Sequence, residues 1–150
     1  MAGAGRGRRR VGGSFAVGAA GGRHAMTVLV DTSVLIDHLR GSADATAVLE
    51  RERSAGPLHA SEITRLEVLA GMRAGEEQRT RFLLSALRWH PVDAEVAERA
   101  GELGRTWLPS HHGIDGADLA IAATAILLDA RPLTRNVRHF PMFAGLRAPY

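Results

Sequence analysis

The chain has 150 residues, no cysteine, and 19 Lys or Arg side chains against 16 Asp or Glu, a formal net charge of +3. This length favours a single domain with a core of its own. The missing cysteine excludes disulfides, thiolate metal sites and thiol catalysis. All 19 basic residues are arginine, so Walker-type phosphate loops and Schiff-base chemistry, which need a lysine, are disfavoured.

The first 25 residues differ in composition from the rest of the chain. Residues 1–25 are rich in Gly, Ala and Arg, hold five arginines and no acidic residue, and lack hydrophobic periodicity. We expect a disordered extension with no part in function, and Met26 as the natural start; a tail or targeting segment is the alternative. Residues 26–150 are expected to form the folded domain, with 14 Arg against 16 acidic residues and a net charge of −2.

From Met26 onward, short apolar runs alternate with segments of helical periodicity. Strands separated by helices predict an α/β fold, in which helices cover both faces of a parallel sheet. In chain order we expect strand Thr27–Val30, helices Thr32–Leu39 and Ala43–Ala55, strand Leu58–Ala60, helices Glu62–Arg73 and Glu76–Leu87, strand Arg88–Val92, helices Ala94–Leu108 and Gly116–Asp129, strand Pro132–Thr134, a helical turn Val137–Phe140 and an edge strand Leu146–Pro149.

Two of these helices carry further expectations. Phe82, Leu83 and Leu87 are expected to form the inner face of the helix that begins at Glu76. The most apolar stretch, Leu119–Leu128, has ten residues, which suits a buried helix and is too short to cross a membrane. With no cysteine and no membrane segment, we expect a cytoplasmic protein.

Four polar side chains stand in apolar surroundings, where an unpaired charge is costly. Asp31 ends the first strand, Asn136 follows the short apolar strand Pro132–Thr134, and Asp118 opens the most apolar helix. In parallel α/β folds the site lies at the carboxyl ends of the strands, which places Asp31 and Asn136 in one crevice. Together with Glu67, these oxygen donors suit a hard divalent cation such as Mg²⁺ or Mn²⁺.

Each of these residues also has a purely structural interpretation. Asp31 is a good helix N-cap, and Asp115 with Asp118 resembles a capping box. Glu67 is predicted to lie on an apolar stripe, where an arginine of the same helix could neutralise it. Asn136 is a common turn residue. The stripe consists of Ile63, Leu66 and Ala70 together with Glu67.

The histidines give weaker signals. His111 and His112 are adjacent between Pro109 and Gly113, which predicts an exposed loop, and adjacent residues do not share a helix face. His139 could contact phosphate, but a surface position is the default expectation for it.

Four segments of the chain resemble the conserved blocks of PIN-domain nucleases, and are most similar to VapC-type toxins of bacterial toxin–antitoxin pairs. The resemblance runs from about Met26 to the end of the sequence. It implies a three-layer α/β/α PIN-like domain, with a short parallel sheet of four or five strands flanked by helices. The blocks are the start Asp31-Thr32-Ser33, then Ile63–Gly71, Asp118–Ala125 and Leu133–Phe140.

The resemblance implies a metal-dependent endoribonuclease that uses Mg²⁺ or Mn²⁺. Asp31, Glu67 and Asp118 then correspond to the acidic ligands of the catalytic site. The fourth position is acidic in many members of the family, but here it is Asn136, which puts a second metal in doubt. Asp115 would supply the missing charge. Thr32 and Ser33 would orient Asp31 or a metal-bound water.

The same resemblance implies the partners. We expect an RNA substrate, a small cognate antitoxin that inhibits the chain, and a homodimer. Two other functions stay open at this stage, a catalytically silent RNA-binding module and a metal-dependent phosphohydrolase with a non-RNA substrate. The expected phosphate contacts are arginines near the site, namely Arg40, Arg65, Arg135 and Arg138.

Overall fold

The computed structural model describes residues 26–150, so the expectations for residues 1–25 lie outside it. Six α-helices and four β-strands follow one another over this part of the chain, and a 3-10 turn follows the last strand. In chain order they are β1 (Val28–Val30), α1 (Thr32–Leu39), α2 (Ala43–Ala55), β2 (Leu58–Ser61), α3 (Glu62–Ala70), α4 (Glu77–Ser85), β3 (Arg88–His90), α5 (Ala94–Trp107), α6 (Gly116–Leu127), β4 (Arg131–Leu133) and the turn Val137–His139.

The strands form one parallel sheet in the order β3-β2-β1-β4. Successive residues of β1 point to opposite faces of the sheet. Val28 and Val30 join a core with α1, α2 and α4, whereas Leu29 joins a second core with α6 and Phe140. The sheet therefore lies between two helical layers, and the expected three-layer α/β/α fold is confirmed.

Capping residues fix the first two helices at the expected positions. The side chain of Asp31 caps α1, and Ser42 caps α2. Helix α3 stops at Ala70, three residues before the expected end, because Gly71 closes it with hydrogen bonds back to the helix.

The expected inner face of α4 is wrong at Phe82, whose side chain is 77% exposed. Helix α4 instead buries Thr80 and Leu84. Phe82 lies two residues from each of these, and residues two apart do not share a helix face. Leu87 is buried as expected, but just after the helix.

The expected edge strand Leu146–Pro149 is also wrong, since no strand forms there. The Leu146 amide donates to the carbonyl of Phe143 in a turn, and Pro149 has no amide hydrogen for a ladder. The segment ends with the Tyr150 hydroxyl hydrogen-bonded to Asp37 of α1. Within residues 26–150, no helix is long and apolar enough to span a membrane.

Candidate active site

Asp31 lies where β1 ends and α1 begins, and its side chain is 3% exposed. Its Oδ2 accepts hydrogen bonds from the Ser33 hydroxyl at 2.7 Å, the Thr134 hydroxyl at 2.7 Å and the Ser33 amide at 3.4 Å. The capping role expected for Asp31 is therefore present. Because all three donors converge on Oδ2, Oδ1 is left for a ligand.

Glu67 of α3 faces the start of α1. The Thr32 hydroxyl donates to its Oε1 at 2.8 Å and lies 3.1 Å from the Thr64 hydroxyl. Burial raises the pKa of Glu67; the Thr32 hydrogen bond opposes this, and the nearby carboxylates of Asp31 and Asp115 raise the pKa further. Glu67 is thus a carboxylate whose charge the surrounding residues stabilise poorly.

The apolar stripe expected around Glu67 is wrong. Helix α3 buries Thr64 and Val68, while Leu66 is 59% exposed. Within residues 26–150 no arginine forms an ion pair with Glu67, and Arg65 bonds Glu62 instead, at 2.6 Å. The buried face is shifted by one residue, so that Thr64 of α3 meets the Thr32 hydroxyl at the start of α1.

Asp115 and Asp118 form the expected capping box at the start of α6. The Asp118 amide donates to Oδ1 of Asp115 at 2.8 Å, and the Asp115 amide donates to Oδ2 of Asp118 at 3.1 Å. Burial raises the pKa of Asp118 to about 6; the Asp115 amide and His139 oppose this rise, whereas the carboxylates of Asp115 and Asp31 add to it. The carboxylates of Asp31 and Asp115 are therefore close enough to both Glu67 and Asp118 to disfavour their charged forms.

Two residues near these carboxylates were missed at the sequence level. Thr134 is fully buried and donates to Asp31. The Nδ1 atom of His139 lies 3.2 Å from Oδ2 of Asp118, so His139 is not the surface residue expected. The 3-10 turn brings His139 back beside Asn136, whose backbone carbonyl accepts a hydrogen bond from the His139 amide at 2.8 Å. The position of His139 three residues after Asn136 is the sequence feature that could have indicated this contact.

Asn136 occupies an exposed position directly after the Thr134 contact. Its amide donates to the Thr134 hydroxyl at 3.0 Å, and its side chain makes no capping hydrogen bond to the turn that follows. The side-chain carboxamide of Asn136 therefore does not cap this turn. His111 and His112 lie apart from these residues in a loop, where His111 packs edge-on against Trp107.

Three of the four arginines expected to contact phosphate already have acidic partners. Arg40 bonds Glu76, Arg65 bonds Glu62, and Arg135 bonds Asp37. Arg138 is exposed and makes no ion pair within residues 26–150. It is the member of this set whose charge is most available to a ligand.

The oxygen donors of the site fit a hard divalent cation in chemistry. Carboxylate and hydroxyl oxygens are the donors that Mg²⁺ and Mn²⁺ prefer, and a cation would offset the burial and the neighbouring carboxylates that raise the pKa values of Glu67 and Asp118. In the part of the chain that the structure describes, no three Asp, Glu or His side chains are close enough together to hold a metal ion. Mg²⁺ is commonly held by one or two carboxylates plus water and substrate phosphate, so the donor set is sufficient for it.

Comparison with protein families gives one match that spans most of the chain, since the family model described as PIN domain matches residues 28–145. The chain belongs to the PIN-domain family. This PIN domain is 46% identical to Ribonuclease VapC19 of Mycobacterium tuberculosis over 123 residues, which cover 81% of this chain and 98% of the relative. It is 42% identical to Ribonuclease VapC10 of the same organism, with 82% and 92% covered.

A solved structure agrees with these relatives. A chain of the toxin–antitoxin complex from Klebsiella pneumoniae superposes with a TM-score of 0.70 at 31% identity, covering 83% of this PIN domain and 98% of that chain. The resemblance to VapC-type PIN ribonucleases is confirmed.

Proposed function

We propose that this PIN domain is a metal-dependent endoribonuclease toxin that hydrolyses RNA phosphodiester bonds and is neutralised by a cognate antitoxin. The observation that carries the proposal is the arrangement of Glu67 and Asp118 around the buried Asp31 at one edge of the sheet, where burial and the Asp31 carboxylate both raise the pKa values of Glu67 and Asp118, in a chain 46% identical to a ribonuclease. Carboxylates that repel one another gain most from a bound cation.

The proposed ion is Mg²⁺ or Mn²⁺, held by Asp31 and Asp118 with Glu67 and Asp115 close by. When bound, such an ion neutralises charge on the scissile phosphate and lowers the pKa of a bound water.

The residues of this chain orient the carboxylates and accept the proton. Ser33 and Thr134 donate to Oδ2 of Asp31, so Oδ1 is the atom that would hold the ion. Thr32 holds Oε1 of Glu67, so Oε2 is the atom free to accept a proton from the attacking water. Asn136 would add a neutral oxygen to the site.

RNA as substrate and an antitoxin as partner are proposed from the named relatives. Residues 26–150 have a net charge of −2, so RNA must be bound by a local arginine patch and not by overall charge. Arg138 is our first candidate for a phosphate contact. A homodimer is the assembly we expect.

Cleavage by the purified full chain tests the enzymatic part. We expect RNA cleavage in Mg²⁺ or Mn²⁺, none in EDTA, and a loss of a hundredfold or more, roughly, in Asp31→Asn, Glu67→Gln and Asp118→Asn. Asp129→Asn is the matched control, because Asp129 is exposed beyond α6 with φ 50°, a conformation that asparagine tolerates. A site variant that keeps wild-type cleavage would remove that residue from the site.

The same assay separates the other two functions. Tight RNA binding with no cleavage in either metal would identify a silent RNA-binding module. Cleavage of a simple phosphodiester or of DNA, with RNA left intact, would identify a phosphohydrolase of another class. For the partner, expression in a bacterial host should arrest growth. Asp31→Asn, or co-expression of a small DNA-binding protein encoded next to the toxin, should relieve the arrest.

A further inference from the structure

The loop after β4 is fastened to α1 at two points by a single residue. The Arg135 amide donates to the Ser33 hydroxyl at 3.2 Å, and its Nη1 donates to Oδ2 of Asp37 at 2.8 Å. Ser33 and Asp37 are four residues apart, so they lie on one face of α1 a turn from each other. Arg135 therefore spans that face with its backbone at one end and its guanidinium at the other.

A third group completes this arrangement. The Tyr150 hydroxyl donates to the same Oδ2 of Asp37 at 2.8 Å, and the Arg135 guanidinium lies 5.4 Å from the centre of the Tyr150 ring. That distance is within the range of a cation–π contact. Burial opposes the ionisation of Asp37, but the hydrogen bonds from Arg135 and Tyr150 outweigh it and lower the pKa of Asp37. Asp37 therefore remains a carboxylate at neutral pH.

This arrangement is connected to the candidate active site through short hydrogen bonds. Ser33, which accepts from the Arg135 amide, donates to Asp31 at 2.7 Å. Thr134, which precedes Arg135, donates to the same Asp31 oxygen. Asn136, which follows Arg135, donates from its amide to Thr134. A displacement of Arg135 would thus disturb the hydroxyls of Ser33 and Thr134, which orient Asp31. It would also displace Asn136.

We infer that Asp37, Arg135 and Tyr150 form a clamp that positions the Thr134–Asn136 loop against α1 and thereby orients Asp31 for the reaction. The three are positioning residues, since none of them touches the reacting atoms. The kinetic consequence rests on the proposed function, whereas the local structural consequence does not. In this role Arg135 fastens the loop to α1 and does not contact phosphate, which differs from the sequence-based expectation.

The Asp37→Ala variant distinguishes the two roles of Arg135. A clamp predicts that kcat falls about tenfold with KM unchanged, the lower end of what lost supporting hydrogen bonds cost at metal sites. A phosphate contact predicts the opposite, because Arg135 released from Asp37 would bind RNA more tightly and KM would fall. Alanine is a good helix former, so α1 is expected to stay intact.

Two further variants and a control sharpen the test. Asp37→Asn keeps an acceptor oxygen for Tyr150 and should recover part of the lost kcat, while Tyr150→Phe should lower kcat less than Asp37→Ala. Glu102→Ala is the control: it breaks the Arg99–Glu102 ion pair on α5, whose arginine is about as exposed as Arg135 and which is unconnected to Asp31, and should leave kcat unchanged. A fall in KM for Asp37→Ala, or an equal fall in kcat for the control, would overturn the clamp.

Hydrogen exchange gives a readout that needs no activity. In the metal-free full chain, Asp37→Ala and Tyr150→Phe should speed exchange of the Arg135 and Asn136 amides, because local opening of this loop becomes easier. Exchange in Glu102→Ala should match wild type. If wild type cleaves no RNA, the proposed function fails and the exchange rates still decide the clamp. Unchanged exchange of both amides in Asp37→Ala would overturn it.

Discussion

At the scale of single residues, the site carboxylates differ in how their charges are stabilised. Asp31 receives two hydroxyls and an amide on one oxygen. Glu67 receives one hydroxyl, and burial with the neighbouring carboxylates raises its pKa. The charges of Glu67 and Asp118 should therefore both cost the metal-free protein stability, since burial and neighbouring carboxylates raise both pKa values.

Glu67→Gln should raise the melting temperature of the metal-free protein by a few degrees, roughly. Glutamine keeps the acceptor for Thr32 and removes the charge that Asp31 and Asp115 repel. Thermal unfolding in EDTA measures this. Glu62→Gln is the control on the same helix. The charge of Glu62 is balanced by Arg65, so its removal should not raise the melting temperature. A lower melting temperature for Glu67→Gln would contradict the expectation that the charge of Glu67 destabilises the metal-free protein.

Asn136→Asp should keep or raise cleavage and tighten Mn²⁺ binding, because each added carboxylate strengthens attraction for a divalent cation. The Asn136 side chain has no capping role to lose. Asp115 already contributes charge near Glu67 and Asp118, so calorimetry is done with and without Asp115→Asn. Weaker Mn²⁺ binding in Asn136→Asp that Asp115→Asn restores would instead assign the fourth position to Asp115.

At the scale of elements, what the sequence predicts well is what local chemistry determines. Helices α1 and α2 lie at the expected residues because their ends depend on Asp31, Ser42 and neighbouring glycines. The buried face of α4 depends on which of its residues pack against elements distant in the sequence, and a local sequence pattern does not contain that information. Hence Phe82 was placed inside and is exposed, while Thr80 was not predicted and is buried.

The packing of α5 against α6 can be tested with two glycines of α5. A Cβ at Gly101 would meet nothing within 4 Å, whereas one at Gly104 would lie 3.2 Å from Cδ1 of Leu119. Gly101→Ala should therefore stabilise the protein by about 0.5–1 kcal/mol through helix propensity. Gly104→Ala should gain less than Gly101→Ala, since Leu119 must move. Urea denaturation measures both, and equal gains would contradict the close approach of the two helices.

At the scale of the whole molecule, the parallel sheet brings distant residues to one edge. The pairing of β1 with the edge strand β4 brings Asp31 beside Thr134, 103 positions apart in the sequence. The strand-end rule predicts this meeting of Asp31 with the loop that carries Asn136. It does not predict that Thr134 supplies the hydroxyl or that His139 contacts Asp118, because both depend on the turn after β4.

The balance of charge over the whole molecule decides how RNA can be bound. Residues 26–150 are slightly acidic, and the acidic partners of Arg40, Arg65 and Arg135 reduce their attraction for phosphate. Binding should therefore depend on few arginines, and its salt dependence should be shallow, since the slope scales with the number of phosphates neutralised.

Arg138 is the residue on which this expectation can be tested most directly. Arg138→Gln should raise KM for RNA with little change in kcat, and should reduce the slope of log affinity against log salt by about 1. Arg40→Gln is the matched control: it removes an arginine whose charge is already balanced by Glu76, so it should leave the slope unchanged. Fluorescence anisotropy with a labelled RNA and the Asp31→Asn protein, measured over a salt series, gives both slopes. If Arg40→Gln lowers the slope as much as Arg138→Gln does, the ion pair with Glu76 opens when RNA binds. Phosphate contacts would then extend along α1 as well as the turn after β4.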